Sequence, residues 1–335
     1  MKYGVLSGIL WGLDTVVLAI ALGMGLFFDA PEAAMSSAFL HDALCAVVLL
    51  VYMAIRGRLR DTVRALSTRS GRVVMVAALL GGPIGMTGYL IAINNIGPGY
   101  TAILSSFYPA VGAVLAFVFL KERMKTRQVL ALLAALAGVM IMGWSSTGAD
   151  QVGNAALGIG AAVLCMVGWG SEAVILAWGM RDDAVDNETA LQIRETTSAL
   201  IYGLLVIPVA GQWGFVSRVF LTPATAVVLI AAIAGSASYL FYYKAIDTIG
   251  ASRGMGLNIS YSAWAVVFAL ALPPHTIPTG LQIVCCVVVL VGTVLSATSD
   301  WSDLGIRRRT RPVPSVMPDA EIAPTEMVDE PGTGR

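Results

Sequence analysis

The chain has 335 residues, of which 57% are hydrophobic and 13% are charged, with 21 basic and 21 acidic side chains. In an ordinary soluble domain about 25% of the residues are charged. The composition therefore excludes a water-soluble globular protein and predicts an all-α integral membrane protein. The formal net charge of zero decides little, because the distribution of the charges along the chain carries the information.

Apolar segments of about 20 residues, the length that spans the hydrocarbon of a bilayer, follow one another along the chain. Since they lack the alternation of barrel strands, they predict ten transmembrane helices. The predicted bounds are 4–27, 36–55, 73–93, 100–120, 127–145, 156–179, 190–210, 224–245, 252–272 and 279–298. We interpret the first segment as a retained span rather than a signal peptide, because it contains Asp14 and lacks a small-residue cleavage site.

Basic residues mark one side of the predicted bundle. They cluster between predicted helices 2 and 3, between helices 4 and 5, and after helix 10, whereas the opposite loops contain only Arg218. The positive-inside rule then places both termini in the cytoplasm. Residues 299–335 are rich in Pro and charged residues, which predicts a disordered cytoplasmic tail.

The two halves of the chain resemble each other at fixed offsets. An offset of 153 or 158 residues relates Ile96-Gly97 to Ile249-Gly250, Tyr89 to Tyr242, Tyr108 to Tyr261, His41-Asp42 to Arg194-Glu195, Trp11-Gly12 to Trp169-Gly170, and Asp14 to Glu172. Five helices per half is an odd number, so the second half enters the membrane from the opposite side. We predict two inverted five-helix repeats, 1–147 and 148–298, a design in which transporters bind substrate near the midplane.

Aromatic residues and one carboxylate define the predicted binding site. Glu172 lies three residues after Trp169, so both emerge from one face of a helix. An acid inside a membrane span is expensive and marks a functional candidate. Around this pair we place repeat-related aromatic side chains, although interfacial anchoring or packing is the alternative for each of them. They are Trp11, Tyr89, Tyr108, Tyr242, Tyr261 and Trp264.

This composition of the site favours a cation that cannot donate hydrogen bonds. Aromatic faces hold trimethylammonium groups at about 0.5–2 kcal/mol per face once the group is desolvated, and one acid balances its charge. Five ionisable residues are candidates for coupling or gating: Asp14, His41, Asp42, Arg194 and Glu195. Local packing by Asp14, a packed histidine, and a structural ion pair between Arg194 and Glu195 remain the alternatives.

Enzyme signatures are missing from the sequence. We find no G-x-S-x-G motif, phosphate loop, H-E-x-x-H motif or Cys/His metal spacing. The four cysteines lie in apolar runs and are predicted to be small buried hydrophobes. We therefore expect neither an enzyme nor a cofactor or metal, and the basic loops indicate topology rather than nucleic-acid binding.

The ordered motifs resemble the EamA type of the drug/metabolite transporter superfamily, and within it the bacterial choline permeases of the lic type. The motifs are Ser7 to Gly12, His41-Asp42, Gly82 to Met86, Trp169 to Glu172 and Gly256 to Tyr261. The resemblance implies choline uptake across a bacterial plasma membrane, with Trp11, Trp169, Glu172, Tyr261 and Trp264 near the cation. Asn258, inside the last motif, joins the predicted substrate-binding residues. Asp14 departs from the pattern, so a related quaternary ammonium compound remains open as the substrate.

The mechanism that follows is alternating access by a small-molecule transporter in a lipid bilayer. An inside-negative potential of 100 mV favours cation entry by about 2.3 kcal/mol, or about fiftyfold accumulation. Proton coupling through Glu172 or Asp14 is left open. The alternatives are an exporter of amino acids or amphipathic amines, with Arg194 as the partner of a substrate carboxylate, and a non-transporting assembly or sensor protein.

Overall fold

The computed structural model describes residues 1–145, 153–181 and 184–300. Met1–Ser299 forms one compact unit, and the second unit, Asp300–Arg335, is described only at Asp300. The predicted disordered tail therefore lies outside the described residues, apart from its first two positions. Within the described ranges the regular structure is helical throughout.

Ten long helices make up the bundle. Across the described residues, nine are long and apolar enough to span a membrane, and the tenth meets this criterion only together with the short helix Trp213–Val219, which is bent from it by 120°. The long helices are α1 Lys2–Leu22, α2 Ala33–Ile55, α3 Arg69–Gly97, α4 Gly99–Leu120, α5 Thr126–Trp144, α6 Ala155–Gly179, α7 Asn187–Val209, α8 Pro223–Ile249, α9 Ala251–Ala271 and α10 Gly280–Ala297. The prediction of an all-α membrane fold is confirmed.

Local signals move several helix ends by a few residues from the predicted bounds. Helix α1 ends at Leu22 instead of 27, because Gly23 caps it and a 3-10 turn, Gly25–Phe27, follows. Helix α3 begins at Arg69 because the Thr68 side chain accepts a hydrogen bond from the Gly71 N–H at 3.0 Å. A separate short helix, Leu59–Leu66, precedes it.

Helices α1 and α8 run antiparallel. Along α1 and α8, Tyr3 stacks on Phe241, whereas Ser7, further along α1, meets Ser238, which lies earlier in α8. The pairs α3 with α6, α2 with α7 and α5 with α10 also make extensive contact. The outward faces of α5 and α10 expose Leu130, Val284 and similar apolar side chains, as expected for helices that contact lipid.

The two halves share irregularities at repeat-related positions. Gly97 and Gly250 both have positive φ angles, 79° and 90°, at the junctions α3–α4 and α8–α9. Each following helix is interrupted just before the related tyrosines, Tyr108 and Tyr261. A Cβ atom added at Gly12 would lie 2.9 Å from the Tyr261 carbonyl oxygen. At Gly170 it would lie 2.9 Å from that of Tyr108, so the two halves pack alike at this point.

Helix α3 contains a π-helical segment, Leu80–Met86, which includes Pro83. Proline lacks an N–H and disturbs the regular i→i−4 ladder, and π segments are common at functional sites. The position of this segment matters because α6 packs directly against it.

Candidate functional site

The indole of Trp169 lies in an aromatic cluster between the two halves. Its ring stacks on Tyr89 with centroids 5.5 Å apart and meets Tyr108 edge-on at 5.8 Å. The indole N–H donates to the Gly81 carbonyl oxygen at 3.0 Å, in the π segment of α3. This bond and the two rings fix the orientation of Trp169.

Glycines in the π segment make room for the side chains of α6. A Cβ atom at Gly85 would lie 3.0 Å from Trp169 Cδ1, and one at Gly81 would overlap the Glu172 carboxylate. Only glycine therefore allows α6 to bring this acid and this indole against the backbone of α3.

We expect Gly81→Ala to lower the melting temperature of the purified protein in detergent by several degrees, because overpacking at a buried site costs about 1–3 kcal/mol. The matched control is Gly160→Ala, since no atom lies within 4 Å of the Cβ position there. If Gly81→Ala melts together with the control, the close approach is not needed for folding.

Trp11 lies in a second aromatic cluster. Its ring meets Tyr239 edge-on at 4.7 Å and Tyr261 at 6.5 Å. Repeat symmetry predicted Tyr242 in the place corresponding to Tyr89, but in the structure Tyr239 contacts Trp11. Tyr242 is buried behind it, 6.5 Å from Tyr239 between ring centroids.

Trp264 lies at the crossing of α1 and α9. Its Cβ atom is the nearest neighbour of a Cβ atom built at Gly12, at 2.7 Å. The indole Nε1 is buried and has no hydrogen-bond partner within the described part of the chain. Trp264 therefore adjoins the Trp11 cluster through the backbone of α1.

A buried ion-pair cluster in the second half centres on Arg194. Its Nε donates to Glu172 Oε1 at 3.0 Å and its Nη1 donates to Glu195 Oε1 at 2.9 Å. Its Nη2 donates to the Tyr239 hydroxyl at 3.3 Å, and the guanidinium lies 4.8 Å from the centroid of that ring. Arg194 is 4% exposed, so these contacts take place out of water.

The first half contains a related group. His41 Nε2 lies 3.0 Å from Asp14 Oδ1, and His41 Nδ1 lies 3.6 Å from Asp42 Oδ1. In each half, an acid of the first helix lies beside a basic residue of the second helix: Asp14 beside His41, and Glu172 beside Arg194. Another acid, Asp42 or Glu195, comes directly after that basic residue in the sequence. The basic residue is titratable histidine in one half and permanently charged arginine in the other.

The two groups meet at the centre of the bundle. Asp42 Oδ2 accepts a hydrogen bond from Ser198 Oγ at 2.5 Å and lies 3.9 Å from Arg194 Nη1. Four carboxylates, Asp14, Asp42, Glu172 and Glu195, thus face two basic residues. If all four are ionised, the cluster has an excess of negative charge even when His41 is protonated. Buried excess charge is expensive unless a proton or a cation compensates it.

Asn258 connects the two aromatic clusters on the other side. Its Oδ1 accepts a hydrogen bond from the Tyr108 hydroxyl at 2.9 Å, and its Nδ2 donates to Ser7 Oγ at 2.8 Å. Trp169 and Glu172 lie three residues apart on α6, and Asn258 and Tyr261 lie three residues apart on α9. Together with the side-chain contacts, these spacings connect eight residues in a closed ring. We call it the site ring: Trp11, Tyr239, Arg194, Glu172, Trp169, Tyr108, Asn258 and Tyr261.

Several contacts in the site ring were absent from the sequence prediction. The sequence indicated Glu172 as the acid of the site but not its partner, which is Arg194 from the next helix. It also missed Tyr239, whose repeat-related position holds Met86. The signal that could have found Tyr239 is its position three residues before Tyr242, on the same helical face.

A separate cavity of about 610 Å³ lies between α3, α4, α5 and α6. Among the described residues, its lining offers no charged side chain to a small cation. It is lined by Ile96, Tyr100, Ile103, Leu104, Met140, Ile141, Trp144, Ala155 and Ile159.

In the described part of the chain, nine apolar helices, or ten if α7 and its bent partner form one span, define a multi-pass membrane protein with a buried charged and aromatic centre. Residues 1–144 match the EamA-like transporter family. The predicted resemblance to this family is therefore confirmed. Proteins of this family are transporters rather than enzymes, which agrees with the missing catalytic motifs.

One relative and one solved structure extend the comparison. The chain is 33% identical to Protein LicB of Haemophilus influenzae over 193 residues, which cover 57% of this chain and 63% of that protein. The crystal structure of another protein matches this chain with a TM-score of 0.65 and 17% sequence identity. The match covers 88% of this chain and 96% of that protein's chain. The latter likeness shows the fold alone.

Proposed function

We propose that the chain imports choline or a related quaternary ammonium compound by alternating access. The site ring supports this proposal more than any other observation, because it surrounds one region with aromatic rings and buried negative charge. Aromatic faces and a carboxylate bind a trimethylammonium group without offering it hydrogen bonds. The predicted resemblance to lic-type choline permeases points to the same substrate class.

The proposal includes the topology. We place the protein in a bacterial plasma membrane with both termini in the cytoplasm, following the positive-inside rule. The arginine-rich loop between α2 and α3 is then cytoplasmic, and Trp213–Val219 is extracellular. The two five-helix repeats, 1–147 and 148–298, would rock against each other about the site ring, as inverted-repeat transporters do.

We assign coupling to the group of Asp14, His41 and Asp42. Histidine can bind and release a proton whereas arginine stays charged, so this half of the cluster can change its charge. The membrane potential drives cation entry, and protonation of this group would couple a proton to the same cycle. Arg194 and Glu195 form the fixed counterpart in the second half.

Export of amino acids receives less support from the site. A zwitterionic substrate needs a basic partner for its carboxylate, and Arg194 was the candidate. Its Nε, Nη1 and Nη2 already donate to Glu172, Glu195 and Tyr239. A substrate carboxylate would have to displace these acceptors.

Uptake of labelled choline into proteoliposomes tests the proposal. Betaine, carnitine and an aromatic amino acid serve as competitors. We expect saturable uptake that choline analogues with a trimethylammonium group inhibit and the aromatic amino acid does not. No saturable uptake, or equal inhibition by all three competitors, would contradict the substrate class.

Trp169→Ala should raise the KM for choline about 5- to 30-fold, because it removes a ring face worth about 1–2 kcal/mol. Trp169→Phe should keep part of the affinity, since it retains an aromatic face. The matched control is Trp144→Ala, whose side chain is 65% exposed near the end of α5. Equal KM values for Trp169→Ala and the control would remove Trp169 from the binding site.

A further inference from the structure

Hydrogen bonds join the two halves of the bundle on the cytoplasmic side of its centre. Asn258 of α9 bonds to Tyr108 of α4 and to Ser7 of α1, at 2.9 and 2.8 Å. The Ser238 hydroxyl of α8 donates to the Ser7 carbonyl oxygen at 2.8 Å. All four side chains are buried, and we call them the inner clasp.

The helices around the inner clasp approach closely. A Cβ atom at Gly4 would lie 2.6 Å from Leu257 Cδ1, and one at Gly8 would overlap the Ser260 hydroxyl. Small residues permit this contact between α1 and α9. Because α1 and α9 belong to different repeats, the contact closes the cytoplasmic half of the space between them.

Ion pairs form a second layer at the cytoplasmic surface. Arg58, in the loop after α2, donates through Nη2 to Asp186 and through Nη1 to Glu188 Oε2, the latter at 2.6 Å. Both acids stand at the start of α7, in the other repeat. The Tyr52 hydroxyl also donates to Glu188, at 2.9 Å. We call these four side chains the outer clasp.

The ion pair between Arg58 and Asp186 in the outer clasp stays charged over the physiological pH range. Partial burial raises the pKa of Asp186, but hydrogen bonds from Thr189 and Arg58 outweigh it and hold the pKa below its usual range. The hydrogen bond to Asp186 raises the pKa of Arg58. An acid whose pKa is lowered in the folded state contributes its full stability at a pH above its ordinary pKa, which is near 4. The pair of Arg58 and Asp186 therefore weakens only as the pH falls through the lowered pKa of Asp186.

The repeat-related positions at the opposite end lack both layers. The inner clasp residues Ser7, Tyr108, Ser238 and Asn258 correspond to Cys165, Tyr261, Gly85 and Ser105, and the outer clasp residues Arg58, Asp186 and Glu188 correspond to Gly211, Ala33 and Met35. No side-chain hydrogen bond or ion pair joins these counterparts to one another in the described ranges. At that end α2 meets the segment after α7 through one hydrogen bond, Ser36 to Gln212 at 3.0 Å, and the Phe39–Trp213 ring contact.

We propose that the inner and outer clasps are the cytoplasmic gate of the transporter, and that this asymmetry makes the outward-facing state the resting state. The inference rests on the topology and the alternating access of the proposed function. A pseudosymmetric carrier would otherwise open equally well to both sides. The clasps place more polar contacts between the repeats on the cytoplasmic side than the opposite end offers, where the Ser36 hydroxyl donates to Gln212 and the Asn154 N–H donates to Asn95. This difference biases the equilibrium, so the substrate meets an accessible site from outside and the gate opens inward afterwards.

Distance measurements between spin labels test the gate without any substrate. The full chain, with its four native cysteines replaced by alanine, carries one label pair at Arg64→Cys and Asp247→Cys, both exposed at the cytoplasmic ends of different repeats. In this background we expect one predominant short distance. Asn258→Ala and Arg58→Gln should each increase the population of a longer distance at least tenfold.

The control is Ser105→Ala, at the position related to Asn258, whose hydroxyl bonds only to its own helix. It should leave the cytoplasmic distances unchanged. If Asn258→Ala does not fold, Ser7→Ala breaks the same clasp with a smaller change. Unchanged distances in all folded gate variants would overturn the gate. Since the readout needs no substrate, failure of choline uptake alone would overturn the proposed function and leave the gate standing.

Discussion

Replacing Arg194 by methionine is expected to destabilise the folded protein by about 3–5 kcal/mol, which is the usual effect of removing one partner from a buried ion pair. Methionine fills similar space but leaves Glu172 and Glu195 without the hydrogen bonds that Arg194 donates at 3.0 and 2.9 Å. Glu195 is completely buried, and its second oxygen has no partner among the described residues. Its carboxylate therefore depends on Arg194 more than any other acid does.

The measurement is the apparent melting temperature in detergent, which should fall by at least about 4 °C for a chain of this size. Arg194→Lys is the matched control, because lysine keeps the charge but not the planar fork that serves several acceptors at once. The melting temperature of Arg194→Lys should fall less than that of Arg194→Met. The double variant Arg194→Met/Glu195→Gln should recover part of the stability. A methionine variant as stable as the parent would show that the carboxylates are neutral in the folded state.

The architecture was largely predictable because it depends on local signals. A run of about 20 apolar residues must become a helix in lipid, where every backbone polar group needs an internal partner. The repeat was visible because both halves need the same unusual backbone, such as the positive φ angles at Gly97 and Gly250. The helix ends were less predictable, because a single cap such as Thr68 extends a helix beyond its apolar part.

The members of the candidate site were partly predictable, but their pairings were not. Symmetry singled out Trp11, Trp169 and Glu172, and the structure includes all three in the site ring. The bond between Glu172 and Arg194 joins residues 22 positions apart on separate helices, and no spacing rule reports such a contact. Symmetry also misled at Tyr242, because the packing of α8 on α1 presents Tyr239 to Trp11.

The two halves also differ in the basic residue of the buried cluster, and this difference affects the charge of the site. Arg194 in one half and His41 in the other occupy related positions, so the cluster combines a fixed charge with a titratable one. A site with two fixed charges would hold its acids permanently compensated. A site with two histidines would lose compensation as the pH rises. In the proposed mechanism, the mixed arrangement keeps Glu172 in place while leaving the charge around Asp14 adjustable.

Glu172→Gln is expected to lower kcat/KM for choline about 100-fold while leaving the protein folded. A unit charge about 4 Å from a cation contributes about 4 kcal/mol at an effective dielectric constant of 20, and the shared pairing with Arg194 reduces this figure. Folding should survive, because glutamine can still accept a hydrogen bond from Arg194. The substitution also removes one charge from a cluster in which acids outnumber bases.

Glu195→Gln is the matched control for this experiment. It removes another buried acid that bonds to the same guanidinium, but Glu195 lies on α7 and, among the described residues, hydrogen-bonds to no side chain of the aromatic clusters. Its effect on choline affinity should be several times smaller than that of Glu172→Gln. Equilibrium binding of labelled choline and initial uptake rates, each measured between pH 6 and 8, separate affinity from coupling. Near-normal choline binding by Glu172→Gln at every pH would assign Glu172 to the structure of the bundle instead of the charge of the site.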